Sequence, residues 1–497
     1  MGSRPELKAQ DWEFVELVNR AIFANPFSDD RIEIDLKISG LPRTTPRIKR
    51  VDTTITVVNA WIQGLKAKGI ISIKGLGAEK RDLLGNVFLF DVFHRYLHRF
   101  DRLILDQIEA GHRPIRVDFA PDALAALAGY GFKHEEALRY FALCYQLRRA
   151  FYFIDRSLVG NSACMKELRR NLWNNVFTHN IRLYNQYLLS RMEDFSTLIL
   201  GETGTGKGAA AGSIGRSGFI PFDESRLCFT ESFTQSFMSL NLSQFPEALI
   251  ESELFGHKKG AFTGAVEDHK GVFSRCSPFG AIFLDEIGDV SIPIQIKLLQ
   301  VLQERLFCPV GSHRQQRFEG RVIAATNRSI QDMRRSGEFR DDFFYRLCSD
   351  IIVVPTLRQR IQQDPTELRD LLAHTIEHMV GVPSKELAQM ALQVIQSQLG
   401  KDYPWPGNVR ELEQCVRRIL LKKSYEGDIR TAGVDICSRL AEDISNGGID
   451  AKSLIAGYCC LLYKRHGTFE EVAKRTALDR RTVKRHVQFW LEHSTDE

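Results

Sequence analysis

The chain has 497 residues, more than one hydrophobic core organises, and about 150 residues per domain gives roughly three domains. A composition 43% hydrophobic and 26% charged excludes a disordered chain, and a formal charge of only +5 excludes a polycation, so any nucleic-acid surface must be a local patch. The ten cysteines show no CxxC pair or zinc-ligand spacing, no stretch supplies the ~18 apolar residues of a membrane span, and the start MGSRPELKAQDWE lacks an export signal, so free thiols, a cytoplasmic location and no membrane partner are expected.

Residues 1–157 predict a regulatory or sensory domain of mixed α/β type, with helical patterns at 83–108 and 135–153 and a β segment at Ile55, Val57 and Val58. No motif in it names an activity or the signal it senses. His94 and His98 have the i,i+4 spacing of a metal pair, but no third ligand accompanies them and the residues between are not those of a zinc protease, so no metal site is expected, and the region's Phe, Leu and Tyr residues are expected to form its own core.

Residues 158–360 alternate short β-branched runs, at 197–200, 237–240, 281–284, 322–325 and 351–354, with helical patterns, which predicts a parallel α/β sheet. The first run enters GETGTGKG, residues 201–208, in the position of a Walker A loop. Gly201, Gly204 and Gly206 let the backbone curl its N–H groups toward phosphate, with Glu202, Thr203 and Thr205 between them, and Lys207 reaches the β and γ phosphates of ATP. Gly208 departs from the usual Ser or Thr, whose hydroxyl contacts Mg2+. About 80 residues on, the run 281–284 ends in Asp285-Glu286, the form of a Walker B strand: Asp285 orients the metal and Glu286 polarises the attacking water.

Residues 361–430 read as an all-helical lid broken by the turn cluster YPWPGN at 403–408, and 431–450, ending near SNGG, read as a linker. Residues 451–497 read as a small all-α domain in which FEEVAKRTALDRRTVKRHVQFW, residues 469–490, has helix-turn-helix grammar. Val472, Ala473, Leu478, Val483 and Val487 supply its core, and Arg480, Arg481, Thr482, Lys484, Arg485 and His486 lie on or beside the recognition helix. Between Lys464 and Arg485 eight Lys or Arg face three Asp or Glu, the local basic patch that double-stranded DNA requires.

In their order these motifs resemble the sigma-54-dependent activators, the bacterial enhancer-binding proteins of the AAA+ family, over about half of the chain, residues 158–421. The most specific match is ESELFGHKKGAFTGA, residues 251–265, in which Gly260, Ala261, Phe262, Thr263, Gly264 and Ala265 resemble the loop that touches the sigma factor. The resemblance implies that Asn241 restrains Glu286, that Asn327 of AATN is sensor I, that Arg340 and Arg346 of FRDDFFYRL are arginine fingers for a neighbouring subunit, and that Arg410 of WPGNVREL is sensor II. It further implies an ATPase ring, in the family's usual form a hexamer, acting on sigma-54 RNA polymerase holoenzyme to open promoters, with a Fis-like C-terminal module on upstream DNA. Gly208, where the family commonly has an acidic residue, keeps a non-hydrolysing DNA-bound repressor as the alternative, and an AAA+ chaperone or replication motor is a second.

Overall fold

The computed structural model describes residues 7–400, 402–427, 436–445 and 447–493. Up to Ser157 every regular element among the described residues is a helix: α1 (Ala9–Phe23), α2 (Asp29–Ser39), α3 (Arg47–Ala67), α4 (Ala78–Arg95), α5 (Leu97–Ala110), α6 (Ala120–Gly129) and α7 (His134–Ser157). The expected β segment is therefore corrected, because Ile55, Val57 and Val58 lie inside α3. Arg50, Thr54, Val58, Ile62 and Leu65 are its buried residues, and that spacing is helical, so packing overrides the strand preference of a Thr/Val/Ile run. His94 ends up in α4 and His98 in α5, and burial drives the His94 pKa down to about 3, partly opposed by its bond to the Phe90 carbonyl. It is a neutral, partly buried side chain.

The five predicted runs form one parallel sheet. Its strands are β1 (Thr197–Leu200), β2 (Phe237–Asn241), β3 (Ala281–Asp285), β4 (Arg321–Thr326) and β5 (Asp350–Val353), in the spatial order β2-β3-β4-β1-β5. All strands run the same way, with Leu200 level with Thr326 and Asn241 level with Asp285. The residues just past the strand ends, among them Gly201, Glu286 and Asn327, therefore gather along one edge, where parallel sheets bind ligands. The lid helices Glu367–Val380, Lys385–Gln398 and Asn408–Lys422 follow in the chain.

The helical region does not separate from the sheet domain at residue 157. The described residues up to Gln393, with Tyr403–Leu421, form one compact unit. The segment between the Lys207–Gly215 helix and β2 makes a hairpin of Phe222–Asp223 with Cys228–Phe229, and Ile220, Phe222, Phe229 and Phe233 are buried in the core of α1–α7. Phe222 and Phe229 meet Phe141 of α7, and Tyr145 stacks on Phe229 at 4.2 Å.

The second unit, Val394–Asp402 with Lys422–Glu497, ends in four helices: Ile436–Ser445, Ala451–His466, Phe469–Thr476 and Arg480–His493. Of the expected linker 431–450, residues 431–435 and 446 lie outside the described residues, while 436–445 is helical and buries Leu440 beside Cys459, Val472, Val483, Val487 and Trp490. Among the described residues no helix is long and apolar enough to cross a membrane.

Candidate functional site

After β1 the chain turns through Gly201–Gly206 and enters a nine-residue helix that begins at Lys207. Gly204 has φ 79° and Gly206 φ 101°, the left-handed region that side chains disfavour. Packing constrains Gly204 as well, since a Cβ there would sit 2.2 Å from the Gly407 carbonyl oxygen. Lys207 is buried, and its Nζ donates to the Gly201 and Glu202 carbonyls at 3.0 and 3.3 Å, which holds the ammonium inside the loop. Thr205 Oγ1 donates to the Glu202 carbonyl at 2.8 Å. At Gly208 a Cβ would meet only the Phe283 ring, at 3.9 Å, so space does not require the missing side chain.

Across the sheet edge, Asp285 accepts from the Glu286 backbone N–H at 3.1 Å and from Asn241 Nδ2 at 3.4 Å. Both donors are neutral, and among the described residues no cationic side chain pairs with Asp285, so its charge is left for a cation. Glu286 adopts φ 56° and ψ 47°, and its Oε2 accepts from the Asn327 N–H at 3.4 Å, while Asn327 Nδ2 donates to Thr203 Oγ1 at 2.8 Å. Asn327 thus bridges the Walker A loop and Glu286. Asn241, expected to restrain Glu286, instead holds Asp285, and its side-chain Oδ1 accepts from the Ser243 N–H at 3.0 Å.

The lid reaches the same loop through residues the sequence did not single out. Asn408 donates to Glu202 Oε2 and to the Thr203 carbonyl, both at 3.1 Å, and accepts from the Leu357 N–H at 2.8 Å. Arg358 grips the Glu202 carboxylate with both terminal nitrogens. Burial alone would raise the Glu202 pKa, but the bonds from Arg358 and Asn408 outweigh it and hold the carboxyl below its ordinary value. Val409 N–H and Arg410 N–H point at the Gly204 carbonyl, at 3.0 and 3.4 Å, and the Arg410 side chain is exposed.

Residues 257–269 project as a hairpin. His257 and His269 exchange backbone bonds at its foot, and Lys258 Nζ donates to Asp268 at 2.5 Å. Gly260 N–H donates to the Ala265 carbonyl at 2.8 Å, with Gly260 at φ 80° and Gly264 at φ 100°, so both glycines are needed to close the tip. Phe262 is 37% exposed and packs against the His257 ring with centroids 4.9 Å apart in a T-shaped pair, Thr263 is exposed, and Val310 ties the hairpin's root through bonds to Gly256 and Lys258.

Residues 176–352 match the sigma-54 interaction domain and residues 358–434 the AAA+ ATPase lid domain. The central region belongs to the sigma-54 interaction family of AAA+ ATPases. The chain is 37% identical over 269 residues to the DNA-binding transcriptional regulator NtrC of Azospirillum brasilense, covering 54% of this chain and 49% of that protein. It is 40% identical over 270 residues to the Nif-specific regulatory protein of Azotobacter vinelandii, covering 54% and 45%. The chain thus spans about half the length of the curated relatives it matches. Helices α1–α7 precede the matched region.

Within this sigma-54 interaction domain the two expected finger arginines have local partners. Arg340 binds Asp342 bidentately, at 3.0 and 2.7 Å, and Arg346 Nε donates to the Leu302 carbonyl at 2.8 Å. Beyond Glu286 a cleft of about 640 Å³, lined in part by Ser243, Asp289, Arg328 and Glu338, adjoins the Walker B end.

In the C-terminal unit, Ala477 at φ 55° makes the turn between Phe469–Thr476 and Arg480–His493. Arg481, Lys484 and Arg485 are exposed, and His486 is half-buried. Arg480 is exposed but paired with Glu470 at 2.9 Å. The Thr482 hydroxyl is turned to the Asp479 carboxylate, a cap of the last helix, rather than outward.

Proposed function

We propose that the chain is an ATP-hydrolysing activator that remodels sigma-54 RNA polymerase from the closed to the open promoter complex while its last helix holds upstream double-stranded DNA. The observation that carries this reading is the order of elements between the two sites. Asn241, bonded to Asp285, leads through a single 3₁₀ turn into the helix Glu247–Phe255, and Gly256 joins that helix directly to the 257–269 hairpin. At 1.5 Å per residue this nine-residue helix is about 13 Å long, a short rigid lever from the Walker B end to Phe262.

In this mechanism Lys207 and the loop N–H groups take the phosphates, Glu286 orients and polarises the attacking water, and Asn327 senses the phosphate from between Thr203 and Glu286. Asp285 would hold Mg2+, which would neutralise phosphate charge when bound; with glycine at 208, the protein offers that site no hydroxyl. Arg340 and Arg346 exchange their local partners for the nucleotide of a neighbouring copy, which requires a homo-oligomeric ring, by family precedent a hexamer. Arg410, on the lid helix against Gly204, closes the site. Movement of the lever presents Phe262 and Thr263 to the sigma factor. Arg481, Lys484 and Arg485 meet DNA, with Arg480 freed from Glu470 and His486 at the border.

The test is transcription from a sigma-54 promoter with parallel ATP turnover. Thr263→Ala should keep turnover and lose transcription, and Glu286→Gln should lose both. Full transcription by Thr263→Ala would remove the loop from the mechanism. Absent turnover in the wild-type chain with nucleotide still bound would favour the non-hydrolysing regulator.

A further inference from the structure

The Lys207–Gly215 helix is poorly built to hold itself. Three of its nine residues, Gly208, Gly212 and Gly215, are glycine, each worth about 1 kcal/mol less than alanine in a helix interior. Gly215 packs against the Phe237 ring so closely that a Cβ would come within 2.2 Å of it. What fixes the far end of this helix comes from α7, more than 60 residues earlier.

Arg149 of α7 is fully buried, and it spends its guanidinium on backbone: Nη1 donates to the Arg216 carbonyl at 2.9 Å and Nη2 to the Gly218 carbonyl at 2.7 Å. Gln146, one turn away, donates from Nε2 to the Ser217 carbonyl at 2.9 Å and to Tyr184 Oη at 2.7 Å. Ser213 Oγ returns a bond to the Phe153 carbonyl at 3.2 Å. Three successive carbonyls just past the helix are thus bound from α7. Arg149 lies over the Tyr145 and Phe233 rings, at 4.7 and 5.5 Å, and among the described residues its hydrogen bonds go to backbone carbonyls and not to a carboxylate. Burial lowers its pKa to about 10, opposed by Tyr145, Tyr184 and Glu231, so it stays cationic at neutral pH. An unpaired buried cation is costly unless something compensates it, and here the negative end of the helix does.

We infer that Arg149, with Gln146, is a positioning residue for the nucleotide site: it anchors the C-terminal end of the helix whose N-terminus carries Lys207 and the phosphate loop, so that the N-terminal helical region is a working part of ATP binding. Any signal that shifts α7 along its axis moves these donors and hence the loop. The inference rests on the proposed ATPase reading for its ligand and goes beyond it in naming the element that sets the site from outside the matched domain.

The experiment is fluorescent ATP-analogue binding and ATP turnover with the full chain, comparing wild type, Arg149→Met, Arg149→Lys and Gln146→Leu. Arg149→Met should weaken nucleotide binding about tenfold, the range of a helix-end charge plus its hydrogen bonds, with the loss in Kd and KM rather than kcat, and Arg149→Lys should recover most of it. Gln146→Leu should weaken binding a few-fold. A folded Arg149→Met chain with wild-type affinity overturns the inference. If Arg149→Met fails to fold, hydrogen exchange on Gln146→Leu decides: faster exchange at residues 207–218, with reduced protection by ATP, supports the role, and exchange at 207–218 like that of wild type overturns it. Wild type that binds no nucleotide would instead defeat the ATPase reading itself.

Discussion

Removing residues 1–157 should unfold the sequence-matched ATPase domain rather than release it. The cut strips the partners from Ile220, Phe222, Phe229 and Phe233, which are 1–8% exposed in the shared core. At about 1.5–3 kcal/mol per fully buried large apolar side chain, exposing these four costs about 6–12 kcal/mol. That compares with a whole domain's stability of about 5–15 kcal/mol, before counting the carbonyls of Arg216, Ser217 and Gly218 that lose Arg149 and Gln146. Some of that apolar surface is already hidden in the unfolded chain, so the figure is an upper bound, yet even half of it would leave the fragment marginal. The assay is expression of residues 158–497 beside the full chain, with soluble yield, binding of a dye for exposed apolar surface, and urea unfolding. A soluble fragment with the full chain's unfolding midpoint and intact ATP turnover would refute the shared-core argument.

Gly204→Ala should abolish nucleotide binding and lower the melting temperature, because its Cβ would meet the Gly407 carbonyl at 2.2 Å in a left-handed backbone; calorimetry with and without ATP measures both. Gly208→Ser should fold at least as stably as wild type, since its Cβ meets only Phe283 at 3.9 Å, and should lower the Mg2+ concentration for half-maximal turnover, read by magnesium titration. Glu202 has a depressed carboxyl pKa, so its bonds to Arg358 and Asn408 stabilise the fold above the ordinary carboxylate range, and that stability is lost as pH falls through the depressed value. Glu202→Gln should therefore melt lower than wild type at neutral pH, with the gap closing in acid; a gap constant across the pH range would contradict the assignment.

The sheet was legible because its strands are short runs set off from helical patterns, the three central ones, β1, β3 and β4, being buried almost throughout, and each observed strand lies within one or two residues of its predicted run. The Walker residues were legible because their chemistry is local, a loop and a strand end. Asn241 was harder: its position at the end of β2 follows from the sequence, but whether its amide faces Asp285 or Glu286 depends on the β2–β3 register and on the left-handed turn at Glu286. Arg358 and Asn408 gave no composition signal, since a lone arginine and a turn asparagine are ordinary surface residues until the lid is folded over Glu202.

The reading of residues 1–157 as a separate mixed α/β module failed for one physical reason with two expressions. In α3, β-branched residues were given their intrinsic preference, although the burial of Thr54, Val58, Ile62 and Leu65 shows that tertiary contacts chose the helix. In α7, Gln146 and Arg149 are polar yet buried, because their partners are carbonyls 67–71 residues later. Polar side chains that satisfy distant backbone groups carry no periodic signature. They also explain why a boundary drawn from motif coverage falls inside a core: the hairpin between the phosphate loop's helix and β2 supplies aromatic side chains to the N-terminal helices, while those helices return hydrogen bonds to the end of the phosphate helix. On the proposed reading, a signal reaching α7 acts through what α7 touches, and that includes the helix that begins with Lys207.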